Sequence, residues 1–194
     1  MTSFDGLDTI AGSQGGATFW FTGMSGAGKT TLARRLESEM RQRRLRSEVF
    51  DGDLVRQNLS KGLGFTKGDR DTNVRRIGYV CSLLSRNGIF AIAAVISPYR
   101  ESRQAVRSAH PAGSFVEVFV HCPLSELIAR DTKGLYKKAL RGEISNFTGI
   151  SDPYEAPENP EIVLQTNLET EDESFAKLVN FVENAGYFKN KETQ

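Results

Sequence analysis

The chain has 194 residues, 39% of them hydrophobic and 25% charged, which is ordinary globular composition and excludes wholesale disorder. Its 25 Lys+Arg against 24 Asp+Glu leave a net charge of +1, so no global field draws it to nucleic acid or an acidic membrane, and any basic site is local. The two cysteines, Cys81 and Cys122, form neither a CxxC pair nor a disulfide framework, which fits a reducing, cytoplasmic setting.

Residues 1–16 are polar and Gly-rich, without a basic stretch followed by an apolar one. They read as a loose arm or a short docking segment rather than a signal peptide. Ala17 to Thr22 is β-rich and predicts a first strand ending at Gly23. After Lys29, the fourfold spacing of Leu32, Leu36 and Met40 predicts an amphipathic helix, with an Arg-rich solvated end that suits the helix dipole. Glu48 to Asp51 predicts a second strand. Val74, Ile77, Cys81 and Leu84 predict a helix over about 70–86, stopping near Asn87-Gly88. Ile89 to Ile96 is the longest uninterrupted apolar run. It is far short of the roughly 20 residues of a membrane span and reads as a strand buried on both faces. A helix from Glu101 to Ala109, strands at Phe115 to Val120 and Ile162 to Gln165, and a helix marked by Phe175, Leu178, Val179 and Val182 complete the pattern. Lys133 to Pro160 has no clean period, and a long irregular segment in a compact domain is commonly a lid. Strands alternating with helices predict a parallel sheet with right-handed crossovers.

Gly23-Met24-Ser25-Gly26-Ala27-Gly28-Lys29-Thr30 matches GxxxxGK[ST], between a predicted strand and a predicted helix. Glycines let successive N–H groups converge on phosphate oxygens, and the helix start adds partial positive charge. Lys29 is expected to reach the β/γ-phosphates and Thr30 to offer its hydroxyl to Mg²⁺. Asp51-Gly52-Asp53 leaves the second strand on the ligand-binding edge of such sheets. Its carboxylates suit a metal-linked acid and a substrate base, though Asp-Gly-Asp is also a common turn. Arg56 suits an anion or a partner for Asp53. Arg70, Arg75 and Arg76 suit phosphate or sulfate recognition, or a salt-bridged helix start.

The stretches GMSGAGKTTLARRL, DGDLVRQNLSKGLGFTKGDRDTNVRRIG, ISPYRESR and RDTKGLYKKALRGEISNFTGISDPYEAPENPE span most of residues 20–165. In this order they resemble the adenylylsulfate kinase family. The resemblance implies an α/β, P-loop NTPase-type three-layer fold, with a parallel central sheet flanked by helices and a mobile lid. It implies one kinase domain over 17–188, with the lid at about 131–160, between the arm and a C-terminal tail at 189–194. The implied reaction moves the γ-phosphoryl of MgATP to the ribose 3′-hydroxyl of adenosine 5′-phosphosulfate (APS), giving ADP and 3′-phosphoadenosine 5′-phosphosulfate. A homodimer and a functional link to ATP sulfurylase are implied partners.

Residue by residue, the resemblance implies ATP binding by Gly23, Ser25, Gly26, Ala27, Gly28, Lys29, Thr30 and Thr31. Thr30 and Asp53 would hold Mg²⁺. Asp51 and Asp53 would lie beside the acceptor, with Asp53 taking the 3′-hydroxyl proton. Arg56, Arg70 and Asn73 would surround the phosphosulfate and ribose. Phe65 and Phe147 would sandwich the adenine. Ile96 and Ser97 would face APS, with Ser97 either a ligand contact or a phosphorylated intermediate. Lys133 would reach APS from the lid, while Lys137, Lys138 and Arg141 are equally suited to solvent. Three positions depart from the family pattern: Leu54, where DGDN is usual; His121, where Asp is usual; and Thr132, where the lid usually has Pro. Two other readings remain: a P-loop kinase with another acceptor, such as a nucleoside, shikimate or gluconate, and a non-catalytic nucleotide-binding module.

Overall fold

The computed structural model describes residues 15–188, apart from the side chains of Asp53 and Leu54. Most of the expected arm and all of the expected tail therefore lie outside the described residues. Twelve elements follow in order: β1 (Thr18–Thr22), α1 (Lys29–Gln42), β2 (Ser47–Asp51), α2 (Gly52–Asn58), α3 (Lys67–Arg86), β3 (Phe90–Ala94), α4 (Arg100–Ser108), β4 (Phe115–His121), α5 (Leu124–Arg130), α6 (Leu135–Leu140), β5 (Ile162–Gln165) and α7 (Glu171–Asn184). The strands form one parallel sheet in the order β2-β3-β1-β4-β5.

Strand alternation sorts the core into two layers. Phe19 and Phe21 pack with Leu32, Leu36 and Met40 of α1 and Leu178 and Val182 of α7. Trp20, between those two phenylalanines, packs on the opposite face with Val74, Ile77 and Cys81 of α3 and Val106 of α4. Ala91 and Ala93 give β3 a low relief under α3. Cys122 belongs to the first layer and Cys81 to the second, so the sheet separates the two buried thiols.

The strands and long helices fall where the apolar pattern predicts. α3 begins at Lys67, earlier than the pattern shows, because its first turn is polar. Thr66 caps it, its hydroxyl accepting from Asp69 N at 3.2 Å. Three short helices carry too few buried residues to show a period: α2 with Val55, α5 with Leu127, and α6 with Tyr136 and Ala139. α6 lies inside the stretch expected to be irregular. No helix among the described residues is long and apolar enough to cross a membrane.

All five strands run the same way, so the loops after β1, β2 and β3 meet on one edge. α3 supplies the wall facing them. It is seated through Gly78, where an added Cβ would come within 2.5 and 2.7 Å of the two methyls of Val106. Val106 is buried and β-branched and cannot turn aside. Gly78→Val should therefore lower unfolding free energy by about 1–3 kcal/mol, the usual cost of overpacking. Urea denaturation of the two proteins checks it, and an unchanged midpoint would show that α3 is not seated this way.

Candidate active site

The phosphate loop joins β1 to α1. At Gly23, φ is +148° and a side chain would run into the carbonyl of Val120 on β4. At Gly28, φ is +99°, the left-handed conformation from which α1 starts. Lys29 is buried, and its Nζ donates to the carbonyl of Met24 at 2.8 Å. Burial pushes its pKa down to about 7, the Lys133 ammonium pushes the same way, and Asp51 opposes them.

In front of the loop lies a cavity of about 890 Å³. Ser25, Gly26, Gly28, Lys29, Thr30 and Thr31 line it from the loop. Asp51 and Arg56 line it from the β2–α2 side, and Arg70 and Asn73 from α3. Ile96 and Ser97 line it from the end of β3, and Phe65, Lys133 and Phe147 complete the wall. Gly23 and Ala27 shape the loop without lining this cavity. Of the four lid cations considered, Lys133 lines it, while Lys137, Lys138 and Arg141 are exposed away from it. Asp53 lies in the first turn of α2, directly after the exit of β2. His121 ends β4 with its ring beside Phe119 and lines neither this cavity nor its neighbour.

Arg56 and Arg70 each donate to backbone carbonyls, and Arg70 also meets the Asp152 carboxylate at 3.5 Å. Arg56 donates to the carbonyls of Leu63 and Gly64 at 3.4 and 3.2 Å, and its guanidinium carbon stands 4.1 Å from the centre of the Phe65 ring. Arg70 donates to the carbonyls of Phe65 and Asn146. Asn73 accepts from the Ser60 hydroxyl. Phe65 is half exposed, whereas Phe147 meets Tyr136 edge-on at 5.1 Å. Tyr136 in turn donates to the carbonyl of Ser25, so the lid rests on the phosphate loop.

Ser97 is 3% exposed, with φ +41°. Its hydroxyl accepts from Trp20 Nε1 at 3.0 Å and donates to Thr22 Oγ1 at 3.1 Å. Thr22 donates onward to the carbonyl of Ile96 at 2.8 Å and meets the Tyr154 hydroxyl at 3.0 Å. The hydroxyl is thus oriented by two neighbours, and its proton points to Thr22 rather than to a residue able to act as its base. This geometry favours a positioning role for Ser97 over a phosphorylated intermediate.

Some functional residues carry no sequence signal of their own. Arg103 is 3% exposed and donates to Glu117 at 2.7 Å, the Ser97 carbonyl at 2.6 Å and the Glu155 carbonyl at 2.7 Å. Thr148 lines the cavity with a buried hydroxyl that has no partner within the protein. A second cavity of about 200 Å³ shares Gly26, Gly28 and Thr31 with the first and adds Arg130, Thr166 and Thr170. The FTG motif points to Thr148 in hindsight. Thr166 follows β5 by one residue and has no motif around it.

A metal fits here only as a shared ligand. Among the described residues there is no cluster of three or more His, Cys, Asp or Glu able to cage an ion. The Thr30 hydroxyl and Asp51 carboxylate on one cavity wall suit Mg²⁺, which keeps several waters and is held partly by substrate phosphates.

The family model described as adenylylsulphate kinase matches residues 15–165. An adenylyl-sulfate kinase of Rippkaea orientalis is 56% identical over 90% of this chain and 95% of its own length. A probable bifunctional SAT/APS kinase of Sorangium cellulosum is 59% identical over 89% of this chain, which spans only 29% of that protein. The solved Mycobacterium tuberculosis APS kinase, in complex with AMPPNP and APS, superposes with a TM-score of 0.81 at 40% identity. It covers 87% of this chain and 98% of its own.

Two outcomes follow from the geometry. Bound phosphate favours the charged form of Lys29, so ATP binding at pH 8 should take up about one proton that binding at pH 6 does not. Calorimetry in buffers of different ionisation enthalpy reads this, and Lys29→Met, which should also abolish transfer, cancels the protons of ATP itself. Because the folded pKa of Lys29 lies below its ordinary value of 10.5, the stability cost is complete below about pH 7 and fades as pH rises toward 10.5. Lys29→Met should therefore raise the melting temperature more at pH 6 than at pH 10. Separately, Ser97→Ala should lower activity only about 2- to 13-fold, the worth of one hydrogen bond. It should also shift the emission of Trp20, the single tryptophan. Near-complete loss in a folded, ATP-binding variant would restore the phosphorylated intermediate.

Proposed function

The chain belongs to the adenylylsulphate kinase family: it phosphorylates adenylyl sulfate with ATP as donor, and we propose which of its residues carry the transfer. The observation that supports the assignment is the shared cavity. Phosphate-loop residues line it together with Arg56, Phe65, Arg70, Asn73, Ile96, Ser97, Lys133 and Phe147. One volume of about 890 Å³ thus has a phosphate cradle at one end and aromatic and cationic walls at the other.

ATP enters with its phosphates on the loop amides and its base in the smaller cavity beside Arg130, Thr166 and Thr170. Lys29 leaves the Met24 carbonyl for the β/γ-phosphates. Thr30 and Asp53, with Asp51 at the end of β2, would hold Mg²⁺, which would neutralise charge on the phosphates. APS lies across the loop, its adenine between Phe65 and Phe147 and its phosphosulfate near Arg56 and Arg70. Asn73 meets the ribose, and the Thr148 hydroxyl gains the partner it lacks within the protein. Asp53 orients the 3′-hydroxyl and accepts its proton. A loose, metaphosphate-like transition state asks more of alignment than of basicity, so an ordinary carboxylate suffices. Lys133 adds positive charge from the lid, which keeps water from competing as acceptor. The bifunctional SAT/APS kinase relative supports a functional link to ATP sulfurylase.

The test is ADP release with ATP and a panel of acceptors. APS should be phosphorylated at its 3′-position, while a nucleoside, shikimate and gluconate should give only background. Turnover with another acceptor and none with APS would overturn the reading, and binding without turnover would favour a non-catalytic module. Within the same assay, Phe147→Ala should weaken APS roughly 5- to 150-fold, since stacking on a base is worth ~1–3 kcal/mol. The ATP KM should stay close to its original value. Equal losses for both nucleotides would mean that Phe147 merely holds the lid.

A further inference from the structure

The turn that carries Phe147 is tied to the rest of the site by a carboxylate that does not line the cavity. The Phe147 carbonyl accepts from the N–H groups of Ile150, Ser151 and Asp152 at 3.0, 3.0 and 3.1 Å. Phe147 N donates to Ser151 Oγ at 2.9 Å, and Gly149 N to the Asp152 carbonyl at 2.7 Å. Residues 147–152 therefore form one compact, internally bonded turn. Its last member, Asp152, reaches two other walls. Oδ2 lies 3.5 Å from Arg70 Nε and accepts from the Tyr99 hydroxyl at 3.4 Å. Arg70 and Tyr99 are 6% and 5% exposed, so the contacts are shielded from water. Arg70 also donates to the carbonyl of Phe65 and to that of Asn146, the residue before Phe147. One guanidinium thus meets both segments that bear the two rings, and Asp152 is its carboxylate partner.

We propose that Asp152 is a positioning residue for the acceptor nucleotide: its carboxylate locks the Phe147 turn against Arg70 and Tyr99 and so sets the width of the slot between Phe65 and Phe147. This rests on the reading that the slot takes the adenine of APS. Asp152 touches neither nucleotide. It acts through the turn behind it and the guanidinium in front, and it lies away from the residues lining the smaller cavity. Its loss should therefore be felt by APS and not by ATP. A merely structural residue would lower stability and disturb both substrates together.

The test is Asp152→Asn in the full chain, which keeps size and removes charge. The KM for APS should rise roughly 10-fold or more, the usual effect of losing a hydrogen-bonded charge. The KM for ATP should stay within about twofold and the melting temperature near that of the unmutated protein. Tyr99→Phe should raise the APS KM in the same direction by less. The double variant should fall short of the product of the two single effects, because both act on the same side chain. An unchanged APS KM, equal losses for both nucleotides, or fully additive effects would overturn the proposal. If Asp152→Asn does not fold, Tyr99→Phe decides: an APS-selective rise supports it and no rise overturns it. The unmutated protein separates the two levels. If it releases no ADP with APS, the functional reading fails and takes this proposal with it; if it turns over and the variants show no split, this proposal alone fails.

Discussion

Arg103 is the interaction on which the site's geometry depends. A guanidinium this deeply buried costs several kcal/mol of lost hydration unless every donor is met. Glu117 of β4 meets the charge at Nε, and the carbonyls of Ser97 and Glu155 each take one N–H from the two terminal nitrogens. Three pieces of chain distant in sequence are thereby fixed to one planar group: the central sheet, the exit of β3, and the segment returning from the lid. The left-handed φ of Ser97 is tolerable because its carbonyl is held by Arg103 and its hydroxyl by Trp20 and Thr22. Removing the arginine would leave Glu117 with only the 3.4 Å contact to Arg107 and would free the turn that forms the cavity floor.

The same economy governs the charges facing the cavity. Lys29, Arg56 and Arg70 each donate to backbone carbonyls of the loops that carry or adjoin the site. A carbonyl is a weaker partner than an anion, so these bonds orient the cations without outcompeting a phosphate; Arg70 alone of the three is also shown with a carboxylate, Asp152, at 3.5 Å. The protein has largely oriented its donors before substrate arrives, which is the basis of electrostatic preorganisation. Burial of Lys29 sharpens this: the neutral amine is tolerated in the empty loop, and the phosphate restores its charge.

Local patterns reveal what is settled locally. The runs Phe115 to Val120 and Ile89 to Ile96 read as strands because apolar, β-prone residues dominate them, Glu117 being the one charged residue in the two. The phosphate loop is readable because phosphate binding demands glycines and a lysine at fixed spacing. The acceptor wall was visible only through resemblance, since no chemistry in isolation requires Phe65 and Phe147 to share a cavity. Arg103, Thr148 and Asp152 lie inside the resembling stretches, but the residues alone do not show their roles, for a different reason. Their roles arise from partners that only the fold brings together, such as Trp20 with Ser97 or Arg103 with Glu155. The helices α2, α5 and α6 escaped because one or two buried side chains cannot display a period.

The two ends of the lid are fixed unequally, and this limits how it can close. At its start, the Asp131 carboxylate accepts from the N–H groups of Tyr136 and Lys137, and the Tyr136 hydroxyl grips the Ser25 carbonyl. At its return, Arg100 binds Glu155, Ala156 and Glu158 while Arg103 binds Glu155. Between these anchors, the only ion pair the described side chains of 140–145 make is the exposed, 3.7 Å contact of Arg141 with Glu143, worth little. A swing of the whole segment would have to break several bonds at both ends at once. The stretch left least anchored is 141–145, between α6 and Asn146, whose carbonyl Arg70 holds. Phe147 does not share that looseness: its turn is tied to Arg70 and Tyr99 through Asp152, so the Phe147 ring and the phosphate loop are both held by anchored chain.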